Sequence, residues 1–290
     1  MEEYIKQFLD YLAKDKNYAS NTLAAYHSDL SQLAVYIRSQ ESEEVVKPLR
    51  LNLDIKLLAG YMHYLKERKY AQSTIARKIA AAKSFLKYLV DSGKLKRDQT
   101  PKLTSPQVNK PVPKPLSISE VRRFLAEPAK HSGPEAKRDK TMLELLYATG
   151  LRASELMSLN VSDIDLKKNC VYCYSGNSRV RVIPIDNYIV QMIKEYLTEA
   201  RPRIINNEIE NALILNRRGE RLTRQGFWQI IQGYADKVGL YNKVTPRSMR
   251  HSFAVHKLNS GVDLQSIQEL LGHTHISTTR VYRDVRGDSS

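Results

Sequence analysis

Between Gly93 and Leu116 the chain reads GKLKRDQTPKLTSPQVNKPVPKPL, with five prolines, six basic residues and one acid. Proline fixes φ and offers no N–H, and one-sided charge repels itself, so this stretch suits neither a helix interior nor a central strand. It divides the 290 residues into parts expected to fold separately: 1–92 and 117–290, with 93–116 as a linker. The charge suits a strap lying along a phosphate backbone; the plainer alternative is a solvated tether.

The two parts carry different patterns. Residues 1–92 are helical in period: Tyr4, Phe8, Tyr11 and Leu12 share one face, and Ser20 is placed to cap a second helix through Leu23, Tyr26, Leu30, Leu33 and Ile37. A third helix is expected from about Leu53 to Arg68. A fourth runs from Ser73 to Val90, with Ile75, Ile79, Phe85 and Leu89 inward. Tyr4, Tyr11 and Tyr18 recur every seven residues, a spacing assigned to packing rather than to base stacking.

From Ser117 the pattern mixes helix and strand. Ser117 and Glu120 predict a capping box, and Lys137 to Thr149 a helix stopped by Gly150. CVYCYSGNSRVRVIPI alternates about Gly176 and Asn177 as a β-hairpin does, and ALIL at 212–215 reads as another short strand. Helices are expected from Thr223, from Thr245 with Pro246 at its first position, over Asp263 to Leu271, and from Ser277.

Composition narrows the function. The 42% of hydrophobic residues suffices for two packed cores. The only cysteines are Cys170 and Cys173; a disulfide framework is excluded, and no second Cys or His pair completes a zinc site, so no metal or cofactor is expected. No apolar run of about 18 residues occurs, and MEEYIKQFLDYLAKD lacks a signal peptide's basic start, so a cytoplasmic protein with no membrane partner is expected. The net charge of +15 points to a polyanion, with nucleic acid ahead of anionic lipid or simple solubility.

Arg152 reads plainly as a helix-start cover, Arg250 and His251 as an exposed face, and His273 as a residue after a C-cap glycine; Tyr282 joins them. Together they fit one chemistry. A phosphodiester is cut without metal when arginines clamp its nonbridging oxygens, a hydroxyl attacks phosphorus in line, and an acid protonates the departing 5′ oxygen.

ATGLRASELMSLNVSDID, starting at Ala148, and TPRSMRHSFAVHKLNSGVDLQSIQELLGHTHISTTRVY, starting at Thr245, resemble the two signature boxes of the tyrosine recombinases, the phage integrase and Xer family. The resemblance spans nearly the whole chain. It implies an all-α, SAM-like core-binding bundle followed by a mainly α catalytic domain with a small antiparallel β-sheet. It further implies that Arg152 and Arg250 are the transition-state arginines, that His273 lies beside the scissile phosphate, and that Glu155 supports the site. Tyr282 would be the nucleophile, storing the energy of the broken bond as a 3′-phosphotyrosine.

Two positions depart from that family's pattern. Arg247 stands where His or Lys is usual, which shifts the role from proton transfer to clamping. The hairpin lysine that serves as acid for the leaving oxygen is missing: Gly176 and Asn177 occupy the turn, and no lysine occurs between Lys168 and Lys194. Arg179 or Arg181 supplies charge nearby, but guanidinium is a very weak acid. Slow cleavage, a sequence altered at this position, or protonation of the leaving oxygen by water or His273 is expected.

Double-stranded DNA carrying specific recombination sites is the expected partner, gripped between the two domains. Ser73, Arg77, Lys78 and Lys83 in the first domain and Arg179, Arg221, Thr223, Arg224 and Gln229 in the second are the candidate contacts. A start at the first helix disfavours an arm-binding domain, and the eight residues after Tyr282 leave no room for the helix that docks on a neighbour in this family. A monomer that assembles to a tetramer on two DNA sites is expected, with room for a second recombinase or accessory protein. The alternatives are a catalytically impaired DNA-binding paralogue and a topoisomerase-like nicking and closing enzyme.

Overall fold

The computed structural model describes residues 1–40, 55–95, 114–175, 179–207 and 209–283. The chain forms two units, Met1–Lys110 and Pro111–Ser290. Most of the expected linker, the Gly176–Asn177 turn, the first residues expected of the third helix and the tail after Arg283 lie outside the described residues.

The first unit holds α1 (Glu2–Lys14), α2 (Ser20–Gln40), α3 (Ile55–Glu67) and α4 (Gln72–Asp91). Glu2 and Glu3 in the first turn of α1 and Lys14 in its last complement the helix dipole. Ile5, Phe8 and Leu12 turn inward at helical spacing, and Phe8 packs on Phe85 and Tyr88 of α4 with ring centroids 5.5 and 5.3 Å apart. Tyr4 and Tyr11 pack half-buried against this core, and Tyr18 lies edge-on to Tyr26.

One expectation for α4 is corrected. Lys78 is not a surface cation: it is 3% exposed, and its Nζ donates to Asp29 Oδ1 at 2.9 Å and Gln32 Oε1 at 2.7 Å. A desolvated ammonium needs such partners, so Lys78 ties α4 to α2 and is unavailable to DNA. Arg77 also reaches Asp29 but keeps 46% of its side chain exposed.

The second unit begins with α5 (Ile118–Ala126), capped by Ser117 and Glu120 in the expected reciprocal box. α6 (Pro134–Thr149) crosses the core and ends at Gly150, whose φ of 60° is left-handed. There a Cβ would run into the Phe253 ring, so glycine is required by conformation and by space alike. After α7 (Ala153–Ser158) come β1 (Ile164–Asp165), β2 (Cys170–Ser175) and β3 (Arg179–Pro184), an antiparallel sheet in the order β1-β2-β3. β1 was not anticipated, because two residues carry no alternation to read.

Nor was α8 (Asn187–Glu195), which Asp186 caps by accepting from the Ile189 N–H. The ALIL run is buried throughout but joins no named strand. It makes isolated bridges from Ala212 to Asn160 and from Leu215 to Arg221, and Arg201 donates to the carbonyls of Glu210 and Ala212. Apolarity placed it in the core, where side-chain donors and single backbone bonds, Leu213 N–H to the Leu159 carbonyl and Leu222 N–H to that of Ile214, stand in for a continuous ladder. α9 (Arg224–Lys237), α10 (Pro246–Asn259), α11 (Leu264–Leu271) and α12 (Ile276–Arg280) follow, with Thr223, Thr245 and Asp263 capping the first three as expected.

Candidate active site

Two chain reversals and one helix face build the site. Gly150 ends α6 and leaves Arg152 extended at the N-cap of α7. α10 carries Arg247, Arg250 and His251 at i, i+3 and i+4, hence on one face. Gly272 ends α11 in the left-handed region, φ 63°, and turns the chain so that His273 follows and Tyr282 comes back over α10.

Glu155 sits at the centre, 8% exposed. Its Oε1 accepts from Arg152 Nη1 at 2.7 Å and its Oε2 from the Arg152 backbone N–H at 2.7 Å. Arg181 reaches both oxygens, at 3.3 and 3.1 Å, and Arg250 Nη1 stands 3.7 Å from Oε2. Burial alone would raise this carboxyl's pKa. The hydrogen bonds from Arg181 and Arg152 and their charges outweigh that and hold it below the usual range.

Arg250 is 7% exposed and donates to the carbonyls of Gly150 and Leu271, each at 2.6 Å. Burial and the nearby Arg152 lower its pKa to about 10, so it stays cationic near neutrality. Arg152, with 41% of its side chain exposed, and the exposed Arg247 present the accessible positive charge. The Tyr282 side chain is buried, 4% exposed. Its ring stacks at 6.3 Å from that of His273, and its hydroxyl lies 2.8 Å from His251 Nδ1. Burial raises the phenol's pKa, against which Arg250, Arg247 and Arg152 pull it down.

Arg152, Glu155, Arg247, Arg250, His273 and Tyr282 thus come together within one chain. Sequence reasoning left out two neighbours. From sequence His251 reads as part of an exposed face, and Arg181 only as one of two sources of charge in the hairpin beside Arg179. Val180 and Val182 are both over half exposed, and Arg181 between them faces in, opposite Cys173. Ile183 and Val171, both buried and of the same parity, were the available signal. The side chain of Arg179 lies outside the described residues.

Among the outer candidates, Ser73, Thr223, Arg224 and Gln229 are exposed and Lys83 is half-buried. Thr223 Oγ1 accepts from the Gly226 N–H as the cap of α9. Arg221 is corrected: its Nη1 donates to the Met157 and Leu159 carbonyls at 3.0 Å each, and its Nη2 to Asn160 Oδ1 at 2.6 Å. Both terminal nitrogens are committed to the fold. Cys170 and Cys173 are buried free thiols. Among the described residues no cluster of His, Cys, Asp or Glu is placed to hold a metal ion, and no helix is long and apolar enough to cross a membrane.

Comparisons with known proteins agree with this geometry. The profile described as "Phage integrase family" matches residues 114–288, and "Phage integrase, N-terminal SAM-like domain" matches residues 5–93. "Tyrosine recombinase XerC" of Roseiflexus sp. (strain RS-1) is 44% identical, covering 100% of this chain and 91% of that protein. "Tyrosine recombinase XerD" of Listeria monocytogenes serovar 1/2a is 36% identical, with 98% and 95% covered. Among solved structures, a lambda integrase(75-356) dimer bound to a COC′ core site superposes with a TM-score of 0.75 at 17% identity, covering 100% of this chain and 97% of that one. XerH bound to difH substrate gives 0.73 at 21% identity, with 96% and 80% covered; at such identities these two speak for the fold. A buried tyrosine ringed by arginines and histidines, on a two-unit chain matched by both profiles and by full-length relatives, places this protein in the phage integrase family as a tyrosine recombinase.

Proposed function

We propose that this chain is a site-specific DNA recombinase, Xer-like or from a small mobile element, that cuts and rejoins duplex DNA through Tyr282. The observation that carries the reading is the approach of the Tyr282 hydroxyl to the arginine and histidine cluster of its own chain. Arg152, Arg250 and Arg247 would hold the nonbridging oxygens of the scissile phosphate and offset the charge that grows on them during attack.

In the step itself the Tyr282 oxygen bonds to phosphorus and the bond from phosphorus to the 5′ oxygen breaks. The phenol loses one proton and the 5′ oxygen gains one, so no oxidant, reductant or nucleotide is consumed. Rejoining is the same exchange in reverse, with the 5′ hydroxyl of a second strand attacking the phosphotyrosine.

DNA would be held by the exposed Arg224 and Gln229 of α9, by Thr223 at its cap, by Ser73, Arg77 and Lys83 of the first unit, and by Arg179 in the hairpin. The one-sided positive charge of the segment 93–116 would add attraction to phosphate without regard to sequence. Exchange between two sites calls for four active sites, hence a tetramer on paired DNA, formed by this chain or together with a second recombinase. Such work lies with the DNA, in the cytoplasm.

The test is a covalent trap. Incubated with a nicked duplex containing its site and then denatured, the wild-type protein is expected to carry DNA, and Tyr282→Phe none. An adduct that survives Tyr282→Phe, or its absence from the wild type, rejects the assignment.

A further inference from the structure

Arg247 and His251 make a contact that the reaction as described leaves unused. Arg247 Nε lies 3.0 Å from His251 Nε2, and His251 Nδ1 lies 2.8 Å from the Tyr282 hydroxyl. A guanidinium only donates hydrogen bonds. Nε2 must therefore be the bare, accepting nitrogen. In a neutral imidazole the proton then sits on Nδ1, and Nδ1–H donates to the tyrosine oxygen.

We propose that His251 is a further active-site residue, a hydrogen-bond donor to the nucleophilic oxygen of Tyr282, and that Arg247 is a positioning residue that fixes the tautomer in which His251 can donate. The inference rests on Tyr282 being the nucleophile. In this arrangement His251 does not take the phenol's proton. It leaves that proton directed elsewhere and strengthens its own bond as negative charge gathers on the oxygen before attack.

The surroundings favour the neutral ring. Burial first, then the charges of Arg247 and Arg250, lower the His251 pKa to about 4. The charged and titratable groups facing it are Arg247 and Arg250 on its own helix, Tyr282 beyond α12, and His273 after α11. The arginine that departs from the family's pattern thereby acquires a role through Nε beside the phosphate clamp proposed for it above. Histidine there, once neutral, would have to spend its one N–H on Nε2 to do the same, and the long reach of the arginine stem would be lost.

Two measurements on the full-length protein decide the matter. In ¹⁵N spectra at neutral pH, with the His251 signals identified by their loss in His251→Asn, the expected state is a protonated Nδ1 and a bare Nε2; in Arg247→Ala that preference is expected to relax toward a mixture. A proton on Nε2 in the wild type overturns the proposal. In single-turnover cleavage of the nicked duplex, His251→Leu is expected to lose about tenfold or more in adduct formation, the scale of one hydrogen bond to a charged oxygen. Its rate should also move toward higher pH as the phenol becomes harder to ionise. His251→Asn, whose amide N–H stands near the position of Nδ1–H, is expected to recover most of the rate. Equal rates for wild type and His251→Leu overturn the proposal, and so does a Leu variant restored by nothing but raised stability. If the Leu variant does not fold, the wild-type and Arg247→Ala spectra carry the decision. An active wild type with the wrong tautomer removes this inference alone; a wild type that forms no adduct removes the assigned nucleophile, and the inference with it.

Discussion

Arg250 Nη2 stands 3.1 Å from Nε2 of His273, and since the guanidinium can only donate, the imidazole is the acceptor. Its other nitrogen, Nδ1, lies 2.9 Å from Thr279 Oγ1 and carries the proton. Burial, reinforced by Arg250, Arg152 and Arg181, lowers the His273 pKa to about 4. In this arrangement His273 presents a lone pair to the site. The sequence-based expectation that it protonates the leaving oxygen loses support, and water is left as the proton source.

Protonation of the leaving oxygen is expected to limit cleavage. A substrate with sulfur in place of the bridging 5′ oxygen leaves as a thiolate and needs no proton. Because general acid catalysis is worth roughly 10²–10⁴-fold, this DNA should be cleaved about 100-fold faster than the ordinary diester in single-turnover assays. Indistinguishable rates would show that protonation of the leaving oxygen does not limit cleavage.

Stability should fall on mild acidification. His251 and His273 have folded pKa values of about 4 against an ordinary 6.5, so between those limits the unfolded chain binds more protons than the folded one. Their contribution is complete above pH 6.5 and is lost as pH falls toward and through 4. Urea midpoints measured from pH 7.5 to 4.5 are expected to drop. The slope should flatten when both histidines are replaced by asparagine, and an unchanged slope in that double variant contradicts the assignment.

Glu155 is shared by Arg152, Arg181 and Arg250. Removing one partner of a buried ion pair strands the others, at a cost of about 3 kcal/mol. Glu155→Gln is expected to lose roughly that much in denaturant unfolding, with Arg181→Met losing less because Glu155 keeps Arg152 and Arg250 as partners. A Glu155→Gln protein as stable as wild type would mean that the three guanidinium groups need no common counter-ion.

Two cations in different surroundings should respond differently to substitution. Lys78→Met breaks the buried contact with Asp29 and is expected to destabilise the first unit while leaving the salt dependence of DNA binding unchanged. Arg224→Ala, at an exposed site on α9, should leave stability alone, weaken binding, and reduce the slope of log affinity against log salt by about 1. Exchanged outcomes would mean that burial does not identify the DNA-facing residues.

Local sequence was enough for whatever depends on neighbours along the chain. The prolines and charges of 93–116 span the point, between Lys110 and Pro111, where the two units part. The caps at Ser117, Thr223, Thr245 and Asp263 and the stop at Gly150 marked helix ends, since a cap bonds to backbone only a few residues away. The signature boxes gave Arg152, Glu155, Arg247, Arg250, His273 and Tyr282. Side-chain direction among the charged residues was a different matter. Arg181 turned in because Glu155, 26 positions earlier in the chain, waits there, while Val180 and Val182 on either side face out. Lys78 sank beside Asp29, 49 positions away, and Arg221 was drawn to carbonyls 62 and 64 positions back. Periodicity records which residues avoid water; only the assembled chain brings a charge to the partner that makes its burial tolerable.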